Sequence, residues 1–212
     1  MSREHGTPQQ KAAAIGTAEI RRLVAVCGGD LAGLRDRAMI LLSFARVLRR
    51  SELVAIEREH LTFVAEGLLL LIPRAKTDQE GEGAVIDIPR GSKRETFLVR
   101  AVEEWLRASR REYGPIFCKV NMWGTVERYA LHPNAVSEIL RRRAEAAKLT
   151  LGSLERFSSQ GLRAGFVTEA CKAGAQDEQI MGHTRHCDVR TMRGYVRRAK
   201  LLEDNPEKLV GL

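Results

Sequence analysis

The sequence is poor in the features that mark disulfide-rich and membrane proteins. Its four cysteines are widely spaced and form no C-x-x-C pair, which argues against a disulfide framework in a chain of 212 residues. No apolar run approaches the ~20 residues that a membrane span needs. The polar N-terminus also lacks a signal-peptide core. We therefore expect a cytoplasmic protein that has no membrane partner.

Positive charge is what the sequence has in excess. Lysine and arginine number 35 against 27 acidic residues, which gives a net charge of +8 and a pI of about 9.7. Such an excess favours a polyanionic partner, with nucleic acid as the first candidate, although a merely basic surface also fits it. Arg141, Arg142 and Arg143 form a basic run in a predicted helix. They are candidate DNA contacts, and a solvated helix face is the alternative.

Hydrophobic periodicity predicts an α+β fold that is mostly helical and has one small, three-stranded antiparallel sheet. Hydrophobic residues make up 44% of the chain, which is enough to bury a core. The strands are predicted from three short apolar runs, at residues 61–64, 68–73 and 84–89. The last two runs are separated by a glycine-containing stretch that is typical of a hairpin loop.

Capping residues and breaks in periodicity predict the remaining elements. Asp30 is expected to cap a long buried helix, and Ser51 a short one. Residues 112–131 show no clear period and are expected to be irregular. Within them, Tyr113 and Tyr129 are expected to be half-buried packing residues.

The residues that carry chemistry are basic side chains and one tyrosine. Attack on a phosphodiester without a metal needs cations at the non-bridging oxygens, a nucleophile and an acid for the leaving oxygen. Arg49, Lys76, Arg163, His186 and Tyr195 belong to the right residue types. Tyrosine has an ordinary pKa of about 10, which nearby arginines would lower. Periodicity alone does not bring these five residues together.

A metal site is the competing interpretation of the histidine-rich segment. His183, His186 and Cys187 form an H-x-x-H-C cluster, but no second cluster lies at zinc-ligand spacing. We therefore expect no metal and no cofactor. This pattern assigns no role to His183.

Four motifs, in their order along the chain, carry a resemblance to a known family. They are L-R-R-S-E-L with Arg49, A-K-T-D-Q with Lys76, G-L-R-A-G-F-V-T-E with Arg163, and the interval from His186 to Tyr195. Together they resemble the tyrosine recombinase (phage integrase) family. The resemblance implies a linker over residues 1–16, a catalytic domain over 17–198 and a tail over 199–212 that can be exchanged between protomers.

The resemblance also implies roles for the residues. Arg49 and Arg163 would bind the scissile phosphate, and Lys76 would protonate the leaving 5′-oxygen. His186 would donate to a non-bridging oxygen, and Tyr195 would attack to give a 3′-phosphotyrosine. The implied partners are double-stranded DNA and further copies of the chain, usually as a tetramer on DNA, or another recombinase protomer.

The sequence departs from the family pattern in three places. Gln160 stands three residues before Arg163, where histidine or lysine is usual, and glutamine cannot carry a proton. Arg46 stands two residues before the Leu48-Arg49 pair, where glycine is common, and would add charge and bulk beside Arg49. Residues 1–16 are too few for the N-terminal clamp domain that is usual in the family.

These departures leave more than one function open. The first hypothesis is site-specific DNA recombination through Tyr195. The second is a catalytically impaired recombinase relative, silenced at Gln160 and Arg46, that acts as a DNA-binding or recombinase-partner protein. A type IB topoisomerase-like enzyme, which would relax any supercoiled plasmid, is a minor third.

Overall fold

The structure is a computed structural model that describes residues 11–12, 14–72, 83–90, 98–150 and 155–184. The α-helices are α1 (Thr17–Ala25), α2 (Leu31–Ala45), α3 (Arg50–Val54), α4 (Leu98–Ser109), α5 (Pro133–Ala146), α6 (Ser159–Lys172) and α7 (Asp177–Thr184). The strands are β1 (Lys11–Ala12), β2 (Leu61–Val64), β3 (Gly67–Ile72), β4 (Ala84–Pro89), β5 (Cys118–Val120), β6 (Val126–Ala130) and β7 (Glu155–Arg156).

Helix α2 lies at the centre of the helical layer. Asp30 caps it, because one carboxylate oxygen accepts a hydrogen bond from Gly33 N at 3.2 Å. Ala38, Met39 and Leu42 are fully buried, so α2 is covered by its neighbours α1, α4 and α6. The predicted cap and the predicted buried helix are both confirmed.

The strands β2, β3 and β4 form the predicted antiparallel sheet in sequence order. Leu68 pairs with Ile88 and Leu70 with Ile86, and all four side chains are buried on one face. The alternation of buried and exposed residues along β3 follows from the two-residue period of a strand. The α+β prediction is therefore confirmed.

Residues 112–131 contain structure that the sequence reading missed. Strands β5 and β6 form an antiparallel hairpin there, so the expectation of an irregular segment was wrong. The strands are short, and β6 carries charged and exposed residues, so no apolar alternation marks it. Tyr113 and Tyr129 are 75% and 83% exposed, and the packing role expected for them was wrong.

The short helix α3 begins one residue before the expected cap. Arg49, not Ser51, occupies the N-cap position, and the buried Glu52 accepts a hydrogen bond from Arg49 N at 2.9 Å. Glu52 thus satisfies a backbone donor that the helix start would otherwise leave without a partner. The capping interaction comes from the acidic residue at the third helical position, not from a serine.

The segment around Ile15 packs against α6. Ile15 is buried, and its backbone N donates to Gly161 O at 3.0 Å. A Cβ built at Gly165 would overlap the Ile15 carbonyl, so this approach requires glycine on α6. Among the described residues, no helix is both long and apolar enough to span a membrane.

Candidate active site

Arg49 is held at the start of α3 by the same residue that caps the helix. Its Nη1 donates to Glu52 Oε1 at 2.8 Å, while its side chain stays 38% exposed. Because Glu52 is buried and binds both the backbone and the guanidinium of Arg49, the arginine has little freedom to swing away. The result is a fixed cation at the surface, which suits a phosphate ligand.

The turn that leads into Arg49 adopts an unusual conformation. Val47 N donates to Phe44 O and Leu48 N donates to Ser43 O, each at 3.3 Å, so α2 ends in a Schellman motif. The left-handed position of this motif normally holds glycine, but here it is Val47, with φ of 53°. The residue whose conformation favours glycine is therefore Val47 and not Arg46, where the sequence reading placed it.

Arg163 connects this turn to the end of α7. Its Nη1 donates to Val47 O at 3.2 Å and its Nη2 donates to Thr184 O at 3.0 Å. Val47 lies two residues before Arg49, so the structure brings Arg163 to the turn that carries the other arginine. The strained backbone of Val47 thus presents a carbonyl that orients Arg163.

Gln160 and Arg163 belong to the first turns of the same helix. Ser158 caps α6 by accepting from Gly161 N at 3.3 Å. Residues three apart on a helix are neighbours on its surface. Gln160 is exposed and Arg163 half-buried, so an amide stands beside the arginine where a proton carrier would be expected.

His183 is a feature of the site that sequence reasoning missed. Its Nε2 lies 2.6 Å from Ala45 O, and its ring stacks on Phe166 with centroids 4.6 Å apart. Phe166 in turn packs edge-on against Phe44 at 5.8 Å. The contacts of His183 and Arg163 therefore join the region where α2 ends to the end of α7. The spacing of these residues in the sequence does not predict these contacts.

A groove of about 750 Å³ adjoins this junction. It lies between the end of α2, the end of β4 and α7, and its lining includes Arg46, Asp87, Pro89, Glu178 and His183. The bulk of Arg46, which was expected beside Arg49, lies along this groove.

Three of the predicted catalytic residues lie outside the described residues: Lys76, His186 and Tyr195. Lys76 falls between the described ends of β3 and β4. His186 follows Thr184 by two positions, and Thr184 is fixed by Arg163. Among the predicted catalytic residues, the structure brings Arg49, Gln160 and Arg163 to one region and does not describe the other three.

The three consecutive arginines on α5 differ in how far they are buried. Arg143 is largely buried, and it donates to Asp36 Oδ2 through Nε at 2.8 Å and to Val26 O at 3.2 Å. Arg142 is mostly exposed and lies 3.3 Å from the same carboxylate oxygen, while Arg141 is exposed. Arg141 and Arg142 can reach a ligand outside the fold, whereas Arg143 contributes to the fold itself.

Two buried thiols, Cys27 and Cys118, do not offer a competing chemistry. Burial raises the pKa of Cys27 to about 11, and burial also raises the pKa of Cys118. Neither thiol is ionised at neutral pH, so neither is an activated nucleophile. Within the described ranges, no group of three or more His, Cys, Asp and Glu side chains is arranged to hold a metal ion.

Comparison with known proteins identifies relatives of the chain. The model of the phage integrase family matches residues 14–201. An integrase/recombinase xerD homolog from Selenomonas ruminantium is 34% identical over 175 residues, which cover 82% of this chain and 50% of that protein. The chain thus spans about half the length of this curated relative.

Solved structures share the fold at lower identity. The XerH site-specific recombinase bound to a palindromic difH substrate, in a post-cleavage complex, is 15% identical with a TM-score of 0.69, over 100% of this chain and 55% of that one. A lambda integrase dimer bound to a COC′ core site is 14% identical with a TM-score of 0.64, over 92% and 50%. The family match and the 34% identity confirm the resemblance seen in the motifs, and the chain belongs to the phage integrase family.

Proposed function

We propose that this chain is the catalytic domain of a tyrosine recombinase, which cuts and rejoins double-stranded DNA at specific sites. The observation that carries the proposal is the contact of Arg163 with Val47 O. It brings the second motif arginine to the turn that holds Arg49, although the two residues lie far apart in sequence. Two positioned guanidinium groups are what the charge of a scissile phosphate requires.

The proposed reaction proceeds in two transfers at one phosphorus atom. The Tyr195 hydroxyl loses its proton to solvent water and its oxygen bonds to phosphorus, while the bond from phosphorus to the 5′-oxygen breaks. Lys76 supplies the proton for that leaving oxygen, and His186 donates a hydrogen bond to a non-bridging oxygen. The 3′-phosphotyrosine keeps the bond energy, so the 5′-hydroxyl of a second strand can displace tyrosine and restore a phosphodiester.

Gln160 supports a second candidate function, an impaired recombinase that binds DNA or an active partner. The exposed Gln160 stands on α6 beside Arg163, where it can donate to a phosphate but cannot accept or carry a proton. General acid–base help is worth roughly 10²–10⁴ in rate. A chain without this acid–base catalysis would still bind DNA.

Partners follow from the proposed reaction. Recombination joins two DNA sites, so several copies of the chain would act together, and we propose a tetramer on DNA. The tail over residues 199–212 would be the segment exchanged between protomers. Sedimentation with and without a DNA site tests this, and a complex that stays at one copy per duplex would contradict it.

Covalent trapping tests the reaction. The natural chain, Tyr195→Phe and Gln160→His are each incubated with nicked duplexes and supercoiled plasmid, then denatured in detergent. An adduct from the natural chain that is lost in Tyr195→Phe is the expected result. An adduct with Gln160→His alone would favour the impaired recombinase, and relaxation of any plasmid would favour a topoisomerase. No adduct from any chain would contradict the proposal.

A further inference from the structure

The hairpin β5–β6 displays two large apolar side chains at its tip. Met122 is 87% exposed and Trp123 is 80% exposed, whereas the other tryptophan, Trp105, is fully buried and donates to Ile116 O at 2.8 Å. A turn needs neither side chain, because small polar residues make tighter turns. Here the two side chains are neighbours at one tip, and contiguous exposed apolar surface is a feature of interaction sites.

The tip is a rigid turn. Asn121 Oδ1 accepts from Trp123 N at 3.0 Å and from Thr125 N at 2.9 Å, and Asn121 N donates to Thr125 O at 2.9 Å. Gly124, with φ of 76°, supplies the left-handed residue that closes the turn. Because the backbone is fixed before any ligand arrives, little conformational entropy is lost when Trp123 binds.

The hairpin is joined to the framework of the arginine site. Strand β6 ends at Ala130 and α5 begins at Pro133. In the first turns of α5, Asn134 and Ser137 lie 3.2 and 3.5 Å from Nη1 of Arg50, the neighbour of Arg49. A five-residue strand spans about 16 Å. The tip therefore lies roughly one hairpin length from the residues that contact Arg50.

Size and charge decide between a protein and a nucleic acid as the occupant. A tryptophan buries about 150–250 Å², whereas a standard protein interface needs about 800 Å² from each partner. The tip is also narrow and polar at its sides: Lys119 and Arg128 are exposed on the strands, and Lys119 pairs with Glu127 at 3.2 Å. The major groove of DNA is about 12 Å wide and admits a two-stranded β-ribbon, so a hairpin of this kind can enter it.

We propose that Met122 and Trp123 form an apolar wedge that enters a groove of duplex DNA and contacts the bases. This inference rests on the proposed function, because it assumes that the chain binds duplex DNA. The net charge of +8 supplies the attraction to phosphates. The wedge adds contacts of a different kind, since apolar side chains that insert at base steps bend DNA and aromatic rings stack on bases.

Tryptophan fluorescence tests the wedge directly, because Trp123 is 80% exposed whereas Trp105 is fully buried. Acrylamide quenching of the natural chain and of Trp123→Phe, with and without a random-sequence duplex at low salt, isolates the Trp123 signal. We expect Trp123 to be quenched freely in the protein alone and to be protected on DNA. Trp123→Ala should bind DNA about tenfold more weakly, with an unchanged salt dependence, because an indole neutralises no phosphate.

A matched control and a fold check complete the experiment. Tyr113→Ala removes an equally exposed aromatic residue outside the hairpin, and we expect it to bind DNA as the natural chain does. Melting temperatures of both alanine variants check that each is folded.

Three results would overturn the inference. They are DNA binding that leaves Trp123 as quenchable as before, an unchanged affinity in Trp123→Ala, and protection of Trp123 by raised protein concentration alone, which would make a second copy the occupant. If the natural chain binds no duplex at low salt, the proposed function fails first and the wedge fails with it.

Discussion

Arg163 and Arg143 are both partly buried arginines, but they are held by different acceptors. Arg163 donates to the carbonyl oxygens of Val47 and Thr184. Arg143 binds the fully buried carboxylate of Asp36, which Arg35 also contacts at 2.6 Å. A carbonyl orients a guanidinium without cancelling its charge, whereas a carboxylate does both.

The difference separates Arg143, which holds two helices together, from Arg163, for which we propose a role in binding phosphate. At Asp36, several guanidinium groups surround one carboxylate and join α2 to α5. At Arg163, two backbone carbonyls fix the direction of the side chain toward the turn before Arg49. The first arrangement predicts an effect on stability. For Arg163 we predict an effect on catalysis.

Removal of the Asp36 carboxylate should give the largest loss of stability. Asp36→Ala leaves Arg35 and Arg143 buried without their acceptor, and breaking a buried pair costs about 3–5 kcal/mol. Urea unfolding of the natural chain and the variant measures the difference. Glu103→Ala is the control, because its pair with Arg90 is exposed and should matter by less than about 1 kcal/mol. Equal losses in the two variants would contradict the distinction.

Substitution of Arg163 should abolish most of the cleavage while the chain stays folded. Loss of one preorganised cationic donor costs about 10²–10³ in rate. Arg163→Lys should be nearly as slow as Arg163→Ala, because lysine cannot donate to both carbonyls through one planar fork. Single-turnover formation of the protein–DNA adduct measures the rates. A lysine variant with natural activity would show that charge alone is sufficient.

His183 should act as a positioning residue with a smaller effect. His183→Phe keeps a ring to stack on Phe166 but loses the contact with Ala45 O. One hydrogen bond is worth about 1 kcal/mol, so cleavage should slow roughly fivefold while DNA affinity stays the same. Adduct formation and a binding titration separate these two quantities. His60→Phe is the control, because half-buried His60 likewise has one hydrogen bond to lose, from Glu57 N at 3.0 Å. A parallel fall in affinity would contradict positioning.

Val47 should show an effect that is small in energy but specific in kind, a reversal of the usual order of glycine and alanine. Both Val47→Gly and Val47→Ala lose the buried side chain, but only glycine removes the left-handed strain. Val47→Gly should therefore be more stable than Val47→Ala by about 1 kcal/mol. Urea unfolding measures the pair, and an alanine variant at least as stable as glycine would exclude strain at this turn.

The sequence predicted the parts of the fold that depend on local pattern. The strands β2, β3 and β4 and the cap at Asp30 follow from apolar period and capping chemistry, both of which act over a few residues. The hairpin β5–β6 was missed because its stability comes from the Asn121 turn and from attachment to the core. One such attachment is the bond from Arg35 Nη1 to Cys118 O at 3.2 Å.

The motifs named candidate residues for the site but did not predict how they are arranged. Motif order identified Arg49 and Arg163 as candidates, yet only the fold shows that Arg163 contacts Val47 O, two residues before Arg49. The role of His183 depends on Ala45 and Phe166, which are distant from it in sequence, so spacing gave no signal. Lys76, His186 and Tyr195 remain predictions from the motifs.

Identification of the residue that becomes linked to DNA tests the central claim most directly. The natural chain and Gln160→His are trapped on a nicked duplex, the complexes are digested with protease and nuclease, and the modified peptide is sequenced by mass spectrometry. The account predicts a nucleotide joined through its 3′-phosphate to Tyr195 in at least one of the two chains. A link at another residue, a link through a 5′-phosphate, or no link in either chain would contradict it.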